Sequence, residues 1–159
     1  MNILVTGGTG FVGKPLVEAL LSRGDSVTVL TRSIEKAQAI FPEKTLQFLT
    51  ALSTLKDLNT FDAVINLAGE PIFDKKWTVQ QKEKLRHSRI DLTQQIVQLI
   101  NQSEHPPFLI SGSATGIYGD GGEDVITEDT NPSTQFTAQL CIDWENAAKQ
   151  ANTRVCLVR

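Results

Sequence analysis

Asn2-Ile3-Leu4-Val5-Thr6-Gly7-Gly8-Thr9-Gly10-Phe11-Val12-Gly13 is the stretch from which the fold follows. Its first five residues are apolar and partly β-branched, as suits a strand buried on both faces. Spaced glycines come next. From there Phe11, Val12, Leu16, Val17, Leu20 and Leu21 recur with helical spacing, which predicts a helix over Phe11 to Leu21. A strand, a glycine-rich turn and a helix in direct succession make a phosphate-binding device. The turn can approach a pyrophosphate because Gly7 and Gly10 carry no Cβ. The helix aims unpaired N–H groups and its positive dipole end at the anion. Read as a packing turn alone, the same glycines leave their place between strand and amphipathic helix without a reason. Gly13-Lys14 is not a P-loop, because that motif needs Ser or Thr where Pro15 stands.

Working outward, strands and helices alternate to the end of the chain. Strands are expected at Ser26 to Leu30, Leu46 to Leu49, Ala63 to Leu67, Phe108 to Ile110 and Arg154 to Val158. Helices are expected at Ile34 to Phe41, closed by Pro42, at Thr78 to Asn101, and from about Thr134 to Ala151. This alternation predicts an α/β fold, a doubly wound parallel sheet in the order 3-2-1-4-5-6. Its ligand should lie across the switch point between strands one and four. The 159 residues read as one dinucleotide-binding domain of the Rossmann type, with no repeat, low-complexity tract or inter-domain linker.

The net charge of −3 argues against nucleic acid or an anionic membrane as the main partner. Met1 leads straight into the first strand, and no apolar run reaches membrane-spanning length, so a cytoplasmic protein is expected. Cys141 and Cys156 read as ordinary buried thiols. His87 and His105 lack ligand spacing, and no metal is assigned.

The end of strand two distinguishes the nicotinamide cofactors. NAD-binding proteins place Asp or Glu there, about twenty residues past the glycines, to accept from the ribose hydroxyls. Here the run is Leu30-Thr31-Arg32-Ser33, with no carboxylate. Arg32 can grip a 2′-phosphate in bidentate fashion, helped by Thr31 and Ser33, which favours NADP over NAD. The alternative makes Arg32 a solvated loop residue and Ser33 a helix cap. At the end of strand four, Leu67, Ala68 and Gly69 let the backbone approach the nicotinamide-side ribose. Asn66, inside an apolar strand, needs a partner and most simply pins a neighbouring strand.

The spacing Gly7, Gly10, Gly13 resembles that of the short-chain dehydrogenase/reductase superfamily, in particular its extended, epimerase-like branch. At Asn66-Leu67-Ala68-Gly69-Glu70-Pro71-Ile72 the resemblance narrows to the YfcH-type family of atypical extended members, described as sugar-nucleotide epimerase-like. Trp77-Thr78, Lys84, Ser88-Arg89, Ser111-Gly112-Ser113-Ala114, Tyr118-Gly119, Phe136, Cys141, Trp144 and Glu145 extend it along the chain. The resemblance implies NADP(H) held by Gly7, Thr9, Gly10, Phe11, Val12, Thr31, Arg32, Ser33, Leu67, Ala68, Gly69, Glu70 and Arg89. It also implies a small-molecule substrate, a nucleotide sugar for choice, and a C-terminal substrate lobe that this stretch lacks. Oligomerisation is left open.

The superfamily's proton transfer uses a Tyr-x-x-x-Lys pair one helical turn apart. The corresponding run is Phe136-Thr137-Ala138-Gln139-Leu140-Cys141, and the chain's one tyrosine, Tyr118, is followed four residues later by Gly122. Ser113 matches the superfamily's catalytic serine, and equally reads as a strand-end hydroxyl satisfying local backbone. Tyr118 reads as a displaced acid or as a loop aromatic shielding the nicotinamide. Glu70 reads as a base, should burial raise its pKa, or as an ionised loop carboxylate. Arg89 reads as a phosphate contact or a structural ion pair. Trp144 and Glu145 are expected to pack and cap their helix locally. An oxidoreductase or epimerase therefore stands beside a non-catalytic NADP(H) sensor or scaffold that kept the pocket and lost the dyad.

Overall fold

Residues 1–42 and 45–159 are described by a computed structural model in which Asn2–Thr6 forms β1, at the centre of a six-stranded parallel sheet. Ser26–Leu30 (β2) pairs with one edge of β1 and Ala63–Asn66 (β4) with the other. Gln47–Leu49 (β3) lies beyond β2. Phe108–Gly112 (β5) and then Val155–Val158 (β6) follow beyond β4. The order is β3-β2-β1-β4-β5-β6, the doubly wound arrangement expected from the alternation of elements.

Period-two alternation in the central strands sends apolar side chains to both faces. Ile3, Val5, Val27, Val29, Ala63 and Ile65 pack under Gly13–Ser22 (α1) and Phe41, which closes Ile34–Ile40 (α2). Leu4, Val64 and Leu109 pack on the other face, against Ile96, Val97, Leu99 and Ile100 of Val79–Gln102 (α3) and Ala148 of Phe136–Ala148 (α4). Burial of each Val, Leu, Ile or Phe side chain among these contributes about 1.5–3 kcal/mol, and of each alanine methyl group less. Short 3-10 turns at Leu52–Thr54 and Thr115–Ile117 were not expected from the sequence.

Several boundaries differ from expectation for local reasons. The first helix begins at Gly13, because Phe11 and Val12 lie in the turn; they are 98% and 61% exposed and belong to no apolar face. β5 runs on to Gly112, since Ser111 and Gly112 pair with Leu157 and Val158. The fourth helix is shorter at both ends, Phe136–Ala148. Cys141 is buried as expected, but Cys156 is exposed, because β6 is an edge strand whose residues alternate between half-buried and open. Among the described residues no helix is long and apolar enough to cross a membrane.

Candidate functional site

The parallel sheet brings the loops after β1, β2, β4 and β5 together at its carboxyl edge. Gly7, at φ +70°, turns the chain sharply out of β1, and a Cβ there would sit 2.7 Å from the Leu67 carbonyl carbon. Gly13 is equally constrained: a Cβ would meet the Gly7 carbonyl oxygen and stand 2.7 Å from the Gly8 Cα. Only glycine lets the two loops close this tightly. The Gly10 N–H donates to the Gly7 carbonyl at 2.9 Å and stiffens the turn. No side chain caps α1 and no acidic residue lies in its first turn, so the positive end of that helix is left open to the crevice.

Beyond β2, Arg32 is exposed. The hydroxyls expected beside it are occupied locally. Thr31 Oγ1 donates to the Ser33 carbonyl at 3.1 Å and accepts from the Ser33 N–H at 3.3 Å. Ser33 caps α2, accepting from the Lys36 N–H at 3.3 Å, and donates to Glu35 Oε2 at 2.8 Å. That hydrogen bond holds the Glu35 carboxyl below the ordinary glutamate range.

Beyond β4, the Ala68 N–H donates to Thr6 Oγ1 at 3.2 Å and the Leu67 N–H to the Thr6 carbonyl at 3.1 Å. Thr6 Oγ1 in turn donates to Asn66 Oδ1 at 2.6 Å, which ties β4 to its neighbour β1. Asn66 Nδ2 donates to Thr93 Oγ1 at 2.8 Å, and Trp144 Nε1 donates to the same oxygen at 2.9 Å. Gly69 lies directly over Arg89, where a Cβ would stand 2.7 Å from the guanidinium carbon. Arg89 Nη1 donates to its own helix at the Leu85 carbonyl, 3.3 Å away, and the guanidinium carbon lies 5.4 Å from the Trp144 ring centre. Burial lowers its pKa.

Glu70 departs from one of its two readings. Its backbone N–H donates to Ser88 Oγ at 2.9 Å, and its carboxylate accepts from Lys75 Nζ at 3.2 Å. Lys75, with lesser help from Gln81 and Arg32, outweighs burial and holds the carboxyl below its usual range, so no elevated pKa equips Glu70 as a base.

The strand-five residues gather around a side chain that was expected to act only locally. Glu145 is 2% exposed and reaches across to the sheet. Ser113 Oγ donates to its Oε1 at 2.6 Å, while Arg159 Nε and Nη2 donate to Oε1 and Oε2 at 2.7 and 2.8 Å. Arg159 Nη1 then donates to Tyr118 Oη at 2.7 Å. Arg159 first, then Ser113, draws the Glu145 carboxyl below the ordinary range against the opposing effect of burial. Trp144 likewise packs across elements, with its ring edge 3.1 Å from where a Gly112 Cβ would be. The Cys141 thiol sits beside Ser113, and burial pushes its pKa up.

The sequence-derived residues thus fall into two neighbouring groups. Gly7 to Val12, Thr31 to Ser33 and Leu67 to Glu70 stand in the loops that follow β1, β2 and β4, with Gly7 against Leu67 and Gly69 against Arg89. Ser113 and Tyr118 belong to the Glu145–Arg159 cluster, where a groove of about 340 Å³ opens beside Tyr118, Thr127 and Arg159. A larger groove of about 460 Å³, lined by Asn2, Asp25 and Gln47, lies at the opposite, amino edge of the sheet and touches none of these residues. Glu145 had a readable signal: it falls in line with Ala138, Cys141 and Ala148 on the buried face of α4.

The family model described as "NAD dependent epimerase/dehydratase family" matches residues 3–159. The Arabidopsis thaliana protein named "Epimerase family protein SDR39U1 homolog, chloroplastic" is 37% identical over all of this chain and 48% of its own length. The crystal structure of human epimerase family protein SDR39U1 with NADPH superposes with a TM-score of 0.84 at 29% identity, covering 100% of this chain and 53% of that one. The nucleoside-diphosphate sugar epimerase from Corynebacterium glutamicum gives a TM-score of 0.80 at 30% identity, over 100% of this chain and 33% of its own. The chain spans about half the length of the curated relatives it matches.

Proposed function

The chain belongs to the NAD dependent epimerase/dehydratase family, and from that premise we propose that it binds NADPH or NADP⁺ and acts on a small hydroxylated substrate of the nucleotide-sugar class. The observation that carries this reading is the open glycine turn at the head of α1, pressed against the Leu67–Ala68 backbone with no acidic side chain of its own in the way. There the N–H groups of Phe11, Val12 and Gly13, where the turn enters α1, would take the diphosphate, since Lys14 and Leu16 already donate to the Gly10 and Val12 carbonyls and Pro15 has no N–H. Arg32, exposed and free of a neighbouring strand-two carboxylate, would take the 2′-phosphate. Thr31 and Ser33 would shape the turn that presents Arg32, since their hydroxyls are engaged within it. Leu67 to Glu70 and Arg89 would form the far wall, with Ser113 and Tyr118 on the substrate side. The cofactor would supply a hydride acceptor or donor; the chain's part is to orient it and to exclude water from the reacting face. The name of the Corynebacterium neighbour supports the nucleotide-sugar class.

Residues 1–159 would be a cofactor domain, to be completed by a substrate lobe of the kind that the longer relatives have room for. A cytoplasmic location belongs to the same proposal; imaging a fluorescent fusion tests it. A second reading, a non-catalytic NADP(H) sensor, is favoured by the run Phe136 to Cys141, which offers neither tyrosine nor lysine at the usual spacing.

Calorimetric titration with NADPH and NADH tests the pocket, and NADPH is expected to bind more tightly. Arg32→Ala should weaken NADPH by about ten- to a hundredfold, the contribution of charge-assisted hydrogen bonds to one phosphate, and leave NADH nearly unchanged. Equal loss for both cofactors would refute the clamp, and binding of neither would refute the pocket.

A further inference from the structure

Ser113 can be given a direction. A serine hydroxyl has one hydrogen to donate and lone pairs to accept with, whereas an ionised carboxylate only accepts. Glu145 is gripped at both oxygens by Arg159, through Nε at 2.7 Å and Nη2 at 2.8 Å, which keeps it ionised. The 2.6 Å contact between Ser113 Oγ and Glu145 Oε1 can therefore run only one way, with the serine as donor. Its single hydrogen is committed to the interior. Its backbone N–H is committed as well, donating to the Val158 carbonyl at 2.7 Å. The neighbouring Cys141 thiol, kept protonated by burial, can only donate to Ser113 Oγ and takes one lone pair, so what Ser113 has left for a ligand is a single acceptor position.

We infer that Glu145, clamped by Arg159, is a positioning residue that sets Ser113 as a hydrogen-bond acceptor, so that the site takes its substrate at a hydroxyl group rather than at a carbonyl. This rests on the reading of the crevice as an NADP(H) site with Ser113 on its substrate side. A carbonyl oxygen placed against Ser113 would face lone pairs with nothing to donate, while an alcohol places its own hydrogen there. Tyr118 complements this arrangement. Its oxygen accepts from Arg159 Nη1 at 2.7 Å, which leaves the phenolic hydrogen free to donate.

The test uses the protein loaded with NADP⁺ and two probes of equal shape, cyclohexanol and cyclohexanone, titrated by ligand-observed NMR. The wild type should hold the alcohol about tenfold more tightly, the difference made by one well-formed hydrogen bond. Glu145→Gln lets the amide donate toward Ser113 and should bring the two probes to within about twofold. Ser113→Ala removes the acceptor with little risk to folding and should do the same. General loosening of the fold lowers both affinities together and leaves their ratio standing, so the ratio reports polarity. Equal or preferential ketone binding by the wild type overturns the inference, as does binding of neither probe, or a Glu145→Gln protein that keeps the alcohol preference. Failure to take up NADP⁺ beforehand refutes the crevice reading itself; NADP⁺ binding without discrimination refutes only the direction given to Ser113.

Discussion

At the scale of single residues, glycine and charge do most of the specifying. Gly13→Ala would drive a methyl group into the Gly7 carbonyl oxygen, and backbone on both sides cannot yield. The substitution should cost about 1–3 kcal/mol of stability, the scale of forced backbone strain, and weaken NADPH by at least tenfold, read by urea denaturation and calorimetry. Glu145 makes a prediction in pH. Its folded pKa lies below the ordinary 4.5, so the stability it contributes is complete above that value and is lost as pH falls through the folded pKa. Denaturant midpoints of the wild type should therefore drop between about pH 5 and the folded pKa. The Glu145→Gln protein should be less stable at neutral pH and show a flatter acid limb; an unchanged limb would show that the carboxylate contributes nothing. The glycine turn was legible in the sequence because its meaning is local. For Glu145 only its burial was readable, from the spacing along α4; its partners Ser113 and Arg159 stand 32 and 14 residues away, and only the folded sheet brings them together.

At the scale of elements, one threonine joins two helices and two strands. Thr93 Oγ1 accepts from Asn66 of β4 and from Trp144 of α4, and donates to the Arg89 carbonyl of its own helix at 2.7 Å. Asn66 carries the connection on to Thr6 of β1. Thr93→Val keeps the shape and strands two buried donors, which should cost about 2–4 kcal/mol in urea denaturation. Thr93→Ser keeps the oxygen and should cost less than half as much, chiefly for the lost methyl group. Element types and their order were readable because period two and period 3.6 are distinct over these lengths. Their ends were less so. Phe11 and Val12 carry the helical pattern in sequence yet lie in the turn, because closing Gly7 onto Leu67 takes precedence over extending α1 by a turn. The two 3-10 turns left no periodic trace, being three residues each.

At the scale of the whole molecule, the proposed cofactor site draws on the loops after β1, β2 and β4, so a ligand held there should steady the centre of the sheet. NADPH at a hundred times its dissociation constant is expected to add about 2.7 kcal/mol and raise the melting temperature by about 5–11 °C. NADH at the same concentration should do less, and a scanning calorimeter distinguishes the two. The sequence contains two tryptophans, and Trp144 is packed beneath the crevice with Arg89 stacked near its ring. A Trp77→Phe protein would retain a lone buried fluorophore beneath the proposed cofactor site, and the absorption of a bound dihydronicotinamide overlaps indole emission. Quenching of that light by energy transfer would then report occupancy in real time, without a label or a turnover assay.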